Sequence, residues 1–235
     1  FLLGIFSFTL PKTPPKIAST EKIRIGDLLG FDALRLLKDK NFAIFFISSI
    51  LICIPLAFYY QNAHPFLTDA GMENPTGKMA IGQISEALFL LLIPMFFVRF
   101  GFKKTILVGM LAWALRYVLF AYGNGSDLSF MLITGIALHG ICYDFFFVSG
   151  QIYTNSKAGE KYKSAAQGLI TLATYGVGML IGFGVAGWIT DNYKTLGGAI
   201  NWEMVWLIPA GIALVVFILF ALLFKEKTNT EITTI

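Results

Sequence analysis

Six long apolar stretches dominate the sequence, with predicted limits at 41–63, 79–99, 104–122, 129–154, 165–190 and 203–224. A helix needs about 20 mostly apolar residues to cross the hydrocarbon core of a membrane, and each stretch is about that long. Only 14% of the residues are charged, compared with about 25% in soluble domains. The sequence therefore predicts an all-α membrane protein with a six-helix transmembrane domain over residues 41–224.

The segments outside this domain have a different character. Residues 1–10 form an apolar run that is too short to cross a bilayer, and we interpret it as the end of a truncated transmembrane helix. Residues 11–40 begin with three prolines, which exclude a helix there, and continue with leucines and charges at helical spacing. We expect a linker over 11–40 with an amphipathic helix on the membrane surface, and a tail over 225–235.

The basic residues predict the orientation of the chain in the membrane. Alternate connections, at 11–40, 99–104 and 155–163, together with the tail, contain 15 of the 18 Lys and Arg residues. Basic residues concentrate on the cytoplasmic side of membrane proteins. We therefore expect the linker and the C-terminus to be cytoplasmic, and we attribute the basic residues to topology rather than to nucleic-acid binding.

Three ionisable residues lie well inside the apolar stretches: Glu86, Arg116 and Asp144. Each costs about 2.5–3.5 kcal/mol at the centre of a membrane helix, so such residues usually have a partner or a function. One interpretation is a structural ion pair, in which Glu86 or Asp144 neutralises Arg116. The other is a site for substrate or protons. Gln83 lies three residues before Glu86 and therefore on the same face of its helix.

The fourth stretch contains the sequence HGICYDFFFVSGQIY, which is polar and aromatic around Asp144. A carboxylate among aromatic rings can bind a base or a sugar, because the rings supply stacking area beside a hydrogen-bonding group. In a regular helix one stripe would contain Gly140, Asp144, Phe147 and Gln151, with Tyr143 beside it. We expect the neighbouring Phe145 and Phe146 to face lipid.

Other residues have less specific signals. Gln61 and Asn62 end the first stretch and are candidates for lining an entrance, whereas His139 has no assigned role. Gly178 and Gly182 form a G-x-x-x-G pair, which favours close helix packing. Cys53 and Cys142 have no metal-ligand spacing, and no catalytic set or phosphate-binding loop appears, so we predict no metal, no cofactor and no enzymatic activity.

Three segments together resemble the C-terminal half of the bacterial nucleoside:proton symporters of the major facilitator superfamily. They are GQISEALFLLLIP, LRYVLFAYGN and HGICYDFFFVSGQIY, and RFGFKK partly resembles the loop signature of that superfamily. The resemblance implies a twelve-helix fold, of which this chain is the second half, in the bacterial inner membrane. It also implies nucleoside uptake driven by protons, and an N-terminal half that completes the site.

The resemblance further implies that Gln83, Glu86, Tyr143 and Asp144 contact the nucleoside, with Gln61 or Asn62 as a contact from the first span. Two alternatives remain open. One is a sugar/proton symporter of the same superfamily, and the other is a membrane receptor that binds nucleosides without transporting them.

Overall fold

The computed structural model describes residues 1–12 and 31–225, and these residues are almost entirely helical. Five helices are long and apolar enough to cross a membrane: α2 (Lys40–Asp69), α3 (Pro75–Tyr122), α4 (Ser129–Glu160), α5 (Tyr162–Asn192) and α6 (Trp202–Leu223). They follow the short α1 (Leu2–Ser7) and a 3-10 helix (Phe31–Lys38). Among the described residues, extended pairing is limited to one isolated bridge between Lys194 and Ile200. The all-α prediction is confirmed.

Helix α3 provides two of the six membrane crossings. Its 48 residues would extend about 70 Å as one straight helix, more than twice the roughly 30 Å of a hydrocarbon core. The backbone leaves helical geometry at Gly101, where φ is 74°. Glycine adopts this left-handed conformation without the steric cost that a side chain imposes. The predicted basic turn RFGFKK therefore reverses the chain between the second and third crossings.

Short polar side chains begin three of the membrane helices. Asp39 accepts hydrogen bonds from the backbone amides of Asn41 and Phe42 at the start of α2. Asn74 accepts one from Gly77 before α3, and Asn201 accepts one from Met204 before α6. Such caps satisfy amide groups that have no partner within the helix. They fix where the polar connections end and the membrane helices begin.

Two sets of contacts hold the bundle together. Helix α3 packs against α4 and α6, and α2 packs against α5 and α6. The G-x-x-x-G pair contributes to the second set: a Cβ added at Gly178 would lie 2.8 Å from Cβ of Cys53, and one at Gly182 would lie 2.7 Å from Cβ of Ala57. The predicted close helix packing is therefore found, and its partner is α2.

One end of the bundle, which we call the basic end, is closed by polar and aromatic contacts. The Lys157 ammonium lies 3.1 Å from the Asp39 carboxylate, and the Asn41 side chain donates to the backbone oxygen of Lys225. Partial burial acts to raise the pKa of Asp39, but the Phe42 amide, Lys157 and the Asn41 amide outweigh it, so that pKa lies below its usual value. An aromatic cluster lies directly beneath: Phe42, Phe45, Phe102, Tyr153 and Phe224.

The predicted segments before the bundle are only partly described. Helix α1 lies within the short apolar run, and its side chains are exposed. In the 3-10 helix, Ala33 is buried against Ala158 and Ala166, next to the turn between α4 and α5. This part of the predicted amphipathic segment thus packs on protein. Residues 13–30 of the linker and 226–235 of the tail lie outside the described residues, and the predicted domain limits stay predictions.

Candidate functional site

Asp144 begins a π-helical turn in the middle of α4. This turn covers Asp144–Val148, and a second one in α5 covers Leu172–Gly178. A π turn inserts one residue into the regular spacing, and such turns are frequent at functional sites. The insertion breaks the stripe predicted for a regular helix. Phe147 is buried, whereas Gln151 is exposed.

The Asp144 carboxyl is buried and unpaired. The residue has 0% of its surface exposed, and neither carboxyl oxygen has a hydrogen-bond partner among the described residues. The Ser149 hydroxyl donates at 3.4 Å to the backbone oxygen of Asp144 rather than to its side chain. A buried carboxyl without a partner is costly as an anion. The arrangement favours a group that is protonated, or that acquires a partner, during the functional cycle.

The first half of α3 and the start of α4 approach each other with their backbones nearly in contact. A Cβ added at Gly140 would lie 2.5 Å from the backbone carbon and oxygen of Ser85 and 2.6 Å from the amide nitrogen of Glu86. The Ser85 hydroxyl also donates to the backbone oxygen of Ala137. Glycine at 140 is required by this close approach, which brings the Glu86 side chain next to His139.

The buried cation Arg116 contacts His139 rather than a carboxylate. Its Nη1 lies 3.0 Å from Nδ1 of His139, and Nε2 of His139 lies 3.6 Å from a carboxylate oxygen of Glu86. Glu86 and Asp144 were the candidate partners of Arg116, and neither forms a direct ion pair with it among the residues that the structure describes. The guanidinium also lies over the Tyr59 ring, with Cζ 3.5 Å from the centroid. This cation–π contact supplies part of the stabilisation that a carboxylate would otherwise give.

Aromatic rings continue the site from His139 along α4 to α5. The imidazole stacks with the rings of Tyr59 and Tyr143, with centroid distances of 5.3 and 5.7 Å. Tyr143 also lies 5.0 Å from Phe147 and hydrogen-bonds through its hydroxyl to the hydroxyl of Tyr175. These contacts form a chain of aromatic rings that carries an imidazole and two hydroxyl groups.

Several of the predicted site residues lie on one open wall of the bundle. Gln83 is exposed, the Glu86 side chain is 36% exposed, and Tyr143 is half-buried. Tyr60 and Tyr175 add two further exposed rings. We call this surface the polar-aromatic wall, and its residues are Tyr60, Gln83, Glu86, Tyr143 and Tyr175. Phe147 packs behind Tyr143 and is buried, so a substrate contact by Phe147 stays a prediction.

The two candidates from α2, Gln61 and Asn62, have different surroundings. Asn62 is buried and donates from its amide to Oγ1 of Thr190 at 3.1 Å, so its side chain joins α2 to α5 instead of lining an entrance. Gln61 is half-buried beside Gly187, where an added Cβ would lie 3.6 Å from its amide nitrogen. A substrate contact by Gln61 stays a prediction.

The prediction that Phe145 and Phe146 face lipid is wrong. Their exposed fractions are 1% and 0%. The Phe145 ring packs 4.6 Å from that of Phe96, and the Phe146 ring packs against Phe45 and Trp113. Both residues lie in the π turn, which inserts one residue and so shifts the side chains from the positions that a regular helix would give them.

Sequence reasoning missed the contributions of Tyr59, Tyr175 and His139. Tyr59 and Tyr175 each lie in an apolar stretch, where an aromatic residue is ordinary and carries no separate signal. His139 differed from its surroundings, but its role depends on neighbours from other helices. No group of three metal-ligating side chains is found within residues 1–12 and 31–225.

A bundle of membrane-crossing helices that brings carboxyl, amide and aromatic side chains to one wall has the architecture of a solute transporter. The comparison with family models specifies the class. The model described as "Nucleoside H+ symporter" matches residues 1–229, and the chain belongs to that family.

Curated relatives from Escherichia coli (strain K12) are similar along nearly the whole chain. The putative nucleoside transporter YegT is 44% identical over 241 residues, covering 100% of this chain and 56% of its own length. The nucleoside permease NupG is 34% identical, covering 96% of this chain and 56% of its own length. A xanthosine permease is 32% identical over 98% of this chain and 57% of its own length. The chain thus spans little more than half the length of these relatives.

Solved structures give the same result. A crystal structure of a mutant of the nucleoside transporter NupG superposes with a TM-score of 0.80 at 32% identity, covering 95% of this chain and 58% of the other. A second NupG crystal structure gives a TM-score of 0.76 at 33% identity. The resemblance that three short segments indicated is confirmed, and this is a multi-pass membrane protein of a bacterial nucleoside symporter family.

Proposed function

We propose that this chain forms the C-terminal half of a proton-coupled nucleoside transporter, with the polar-aromatic wall as its side of the substrate site. The observation that carries the proposal is Asp144, a buried carboxyl without a partner, behind a wall of rings and polar groups. Family membership supports the substrate class and the coupling ion. An N-terminal half of the same protein supplies the opposite wall.

The wall has the groups that nucleoside binding requires. The rings of Tyr60, Tyr143 and Tyr175 offer stacking area to a base, as aromatic surfaces do for planar ligands, and Phe147 supports the Tyr143 ring from behind. Gln83 can donate and accept hydrogen bonds, and ionised Glu86 accepts them from hydroxyl or N–H groups. Gln61 is a further candidate contact from α2. The nucleoside leaves chemically unchanged.

Proton coupling follows from the two carboxyl groups. Glu86 and Asp144 can each bind and release a proton. Arg116 cannot take this role, because its guanidinium stays protonated throughout. Protonation removes the cost of burying an anion, so a proton bound from one side favours the state in which the site is closed. Release of the proton and the nucleoside on the other side of the membrane completes the cycle. In this cycle one half of the protein rocks against the other.

The basic end of the bundle determines the proposed orientation. It contains Arg99, Lys157 and Lys225, among other basic residues, whereas the opposite end has only Lys78 and Lys194 within the described residues. The positive-inside bias then places the basic end and the C-terminus in the cytoplasm, with the bilayer around α2 to α6.

The test is concentrative uptake of labelled uridine by the complete gene product in energised membrane vesicles. We expect both Glu86→Gln and Asp144→Asn to abolish accumulation against a gradient, because each removes a titratable carboxyl with little change in shape. The control variants Asp191→Asn and Glu203→Gln alter exposed carboxylates away from the wall and should accumulate uridine normally. Normal accumulation in both site variants would refute the proposal.

The same assay separates the alternatives. Competition by unlabelled nucleosides but not by free sugars is expected, and the reverse pattern would indicate a sugar/proton symporter. Binding of uridine without flux in proteoliposomes would indicate a receptor.

A further inference from the structure

We infer that His139 is a hydrogen-bond donor with a fixed tautomer, which positions the Glu86 carboxylate in the substrate site and does not itself carry the transported proton. The inference rests on the proposed function and adds a positioning residue to it.

Arg116 determines which nitrogen of His139 has a proton. A guanidinium has only N–H donors and does not lose its proton in proteins. Its Nη1 lies 3.0 Å from Nδ1 of His139, so Nδ1 must be the acceptor and must lack a proton. The single proton of the neutral imidazole then lies on Nε2. Arg116 has no oxygen acceptor for Nε or Nη2 among the described residues, so its charge is poorly compensated. This favours the hydrogen bond from Nη1 to the lone pair of His139 Nδ1.

Nε2 is the nitrogen of His139 that lies near Glu86. The distance from Nε2 to Oε2 of Glu86 is 3.6 Å, slightly longer than a hydrogen bond, and we infer that the two groups come to hydrogen-bonding distance when substrate is bound. A donor on this side fixes one carboxylate oxygen against the protein. The Glu86 side chain is 36% exposed, which leaves its other oxygen available to a hydroxyl or N–H group of a nucleoside.

The surroundings prevent His139 from turning or from becoming charged. The rings of Tyr59 and Tyr143 both stack on the imidazole, and the His139 side chain is 10% exposed. A second proton would place an imidazolium 3.0 Å from a guanidinium, with two donors facing each other. The titratable or charged groups in contact with His139, among the described residues, come from three helices, and Glu86 is the acidic one: Tyr59 on α2, Glu86 and Arg116 on α3, and Tyr143 on α4.

Two substitutions separate the two nitrogen atoms. In His139→Asn the amide oxygen takes the position of Nδ1, so the acceptor for Arg116 is kept and the donor to Glu86 is lost. In His139→Gln the amide nitrogen takes the position of Nε2, so the donor is kept and the acceptor is lost. If His139 only accepted the hydrogen bond from Arg116, Asn would be tolerated better, whereas if it positions Glu86, Gln is tolerated better.

The measurements are KM for uridine uptake and the melting temperature in detergent, both on the complete gene product. We expect His139→Asn to raise KM about tenfold, equivalent to about 1.4 kcal/mol, with a melting temperature near that of the wild type. We expect His139→Gln to raise KM less, about threefold or below, and to melt at a lower temperature. An equal or larger rise in KM for Gln than for Asn overturns the inference.

The coupling assay tests whether His139 carries the proton. If it does not, His139→Gln accumulates uridine against a gradient and keeps the pH profile of the wild type. Loss of accumulation with preserved uridine exchange would make His139 the carrier and would overturn the inference. Absence of any nucleoside uptake by the wild type would refute the proposed function instead.

Nitrogen NMR of histidine-labelled protein tests the tautomer without any transport assay. The signal of His139 is assigned by its disappearance in His139→Gln. It should show an unprotonated Nδ1 and a protonated Nε2 throughout the range from about pH 5 to pH 8, in which an ordinary histidine titrates. A proton on Nδ1, or titration to the imidazolium in this range, overturns the inference.

Discussion

Glu86, Arg116 and Asp144 stood out in the sequence because charge is costly in a membrane, and that cost depends only on residue type and depth. Their partners did not follow from the sequence. Arg116 contacts His139 and the Tyr59 ring, and Asp144 has no partner among the described residues. Which charges meet depends on how each helix is rotated and where it crosses its neighbours, and hydropathy contains neither quantity.

At the residue scale, Gly140 allows a test of the contact that brings Glu86 to His139. We expect Gly140→Ala to destabilise the protein by about 1–3 kcal/mol, because the new methyl group would overlap the backbone of Ser85. The measurement is the melting temperature in detergent, together with KM for uridine. The control is Gly184→Ala in α5, where an added Cβ has no atom within 4 Å. Equal stability of the two variants would contradict the close approach.

At the scale of elements, caps and breaks explain where the helices begin and turn. The sequence located the turn at RFGFKK correctly, because basic residues and a glycine interrupt an apolar run there. The π turns in α4 and α5 were not predicted, since their local sequence is as apolar as an ordinary helix. Their consequence was large. Phe145 and Phe146 became core residues, and the stripe through Gln151 was lost.

The Asp39 carboxylate combines a helix cap with an ion pair, and two substitutions separate these roles. Asn is as good a cap as Asp, so Asp39→Asn should lose only the contact with Lys157, about 0–1 kcal/mol for a partly exposed pair. Asp39→Ala should lose the cap as well, about 1 kcal/mol more. Thermal melting of the two variants checks the order of their stabilities. A melting temperature of Asp39→Ala at or above that of Asp39→Asn would contradict it.

The same carboxylate predicts a pH dependence. The folded pKa of Asp39 is lower than its ordinary value of 3.8. Its contribution is therefore fully present above the unfolded pKa and is lost as the pH falls from 3.8 through the folded pKa. The difference in melting temperature between wild type and Asp39→Asn should stay constant from pH 8 to about pH 5 and shrink at lower pH. A difference that shrinks already near neutral pH would contradict the lowered pKa.

At the scale of the whole molecule, the basic residues predict which end faces the cytoplasm. Leu196 is fully exposed at the end opposite to the basic end, and Ser164 is exposed near the basic end. In a background without other reactive cysteines, a membrane-impermeant maleimide should label Leu196→Cys in intact spheroplasts. It should label Ser164→Cys only after permeabilisation. Cys53 and Cys142 are buried and should give little background, and the reverse labelling pattern would contradict the proposed orientation.

The sequence by itself determined the helical class, the six crossings and the residues with unusual chemistry, because each of these follows from the cost of placing a given residue in a membrane. With the family resemblance, it also indicated the nucleoside symporters. Only the tertiary structure decided that Gly140 lets α4 touch α3, that His139 stands between Arg116 and Glu86, and that Tyr175 joins Tyr143. These contacts join residues from different helices, and their distances depend on packing, which no local pattern along the chain encodes.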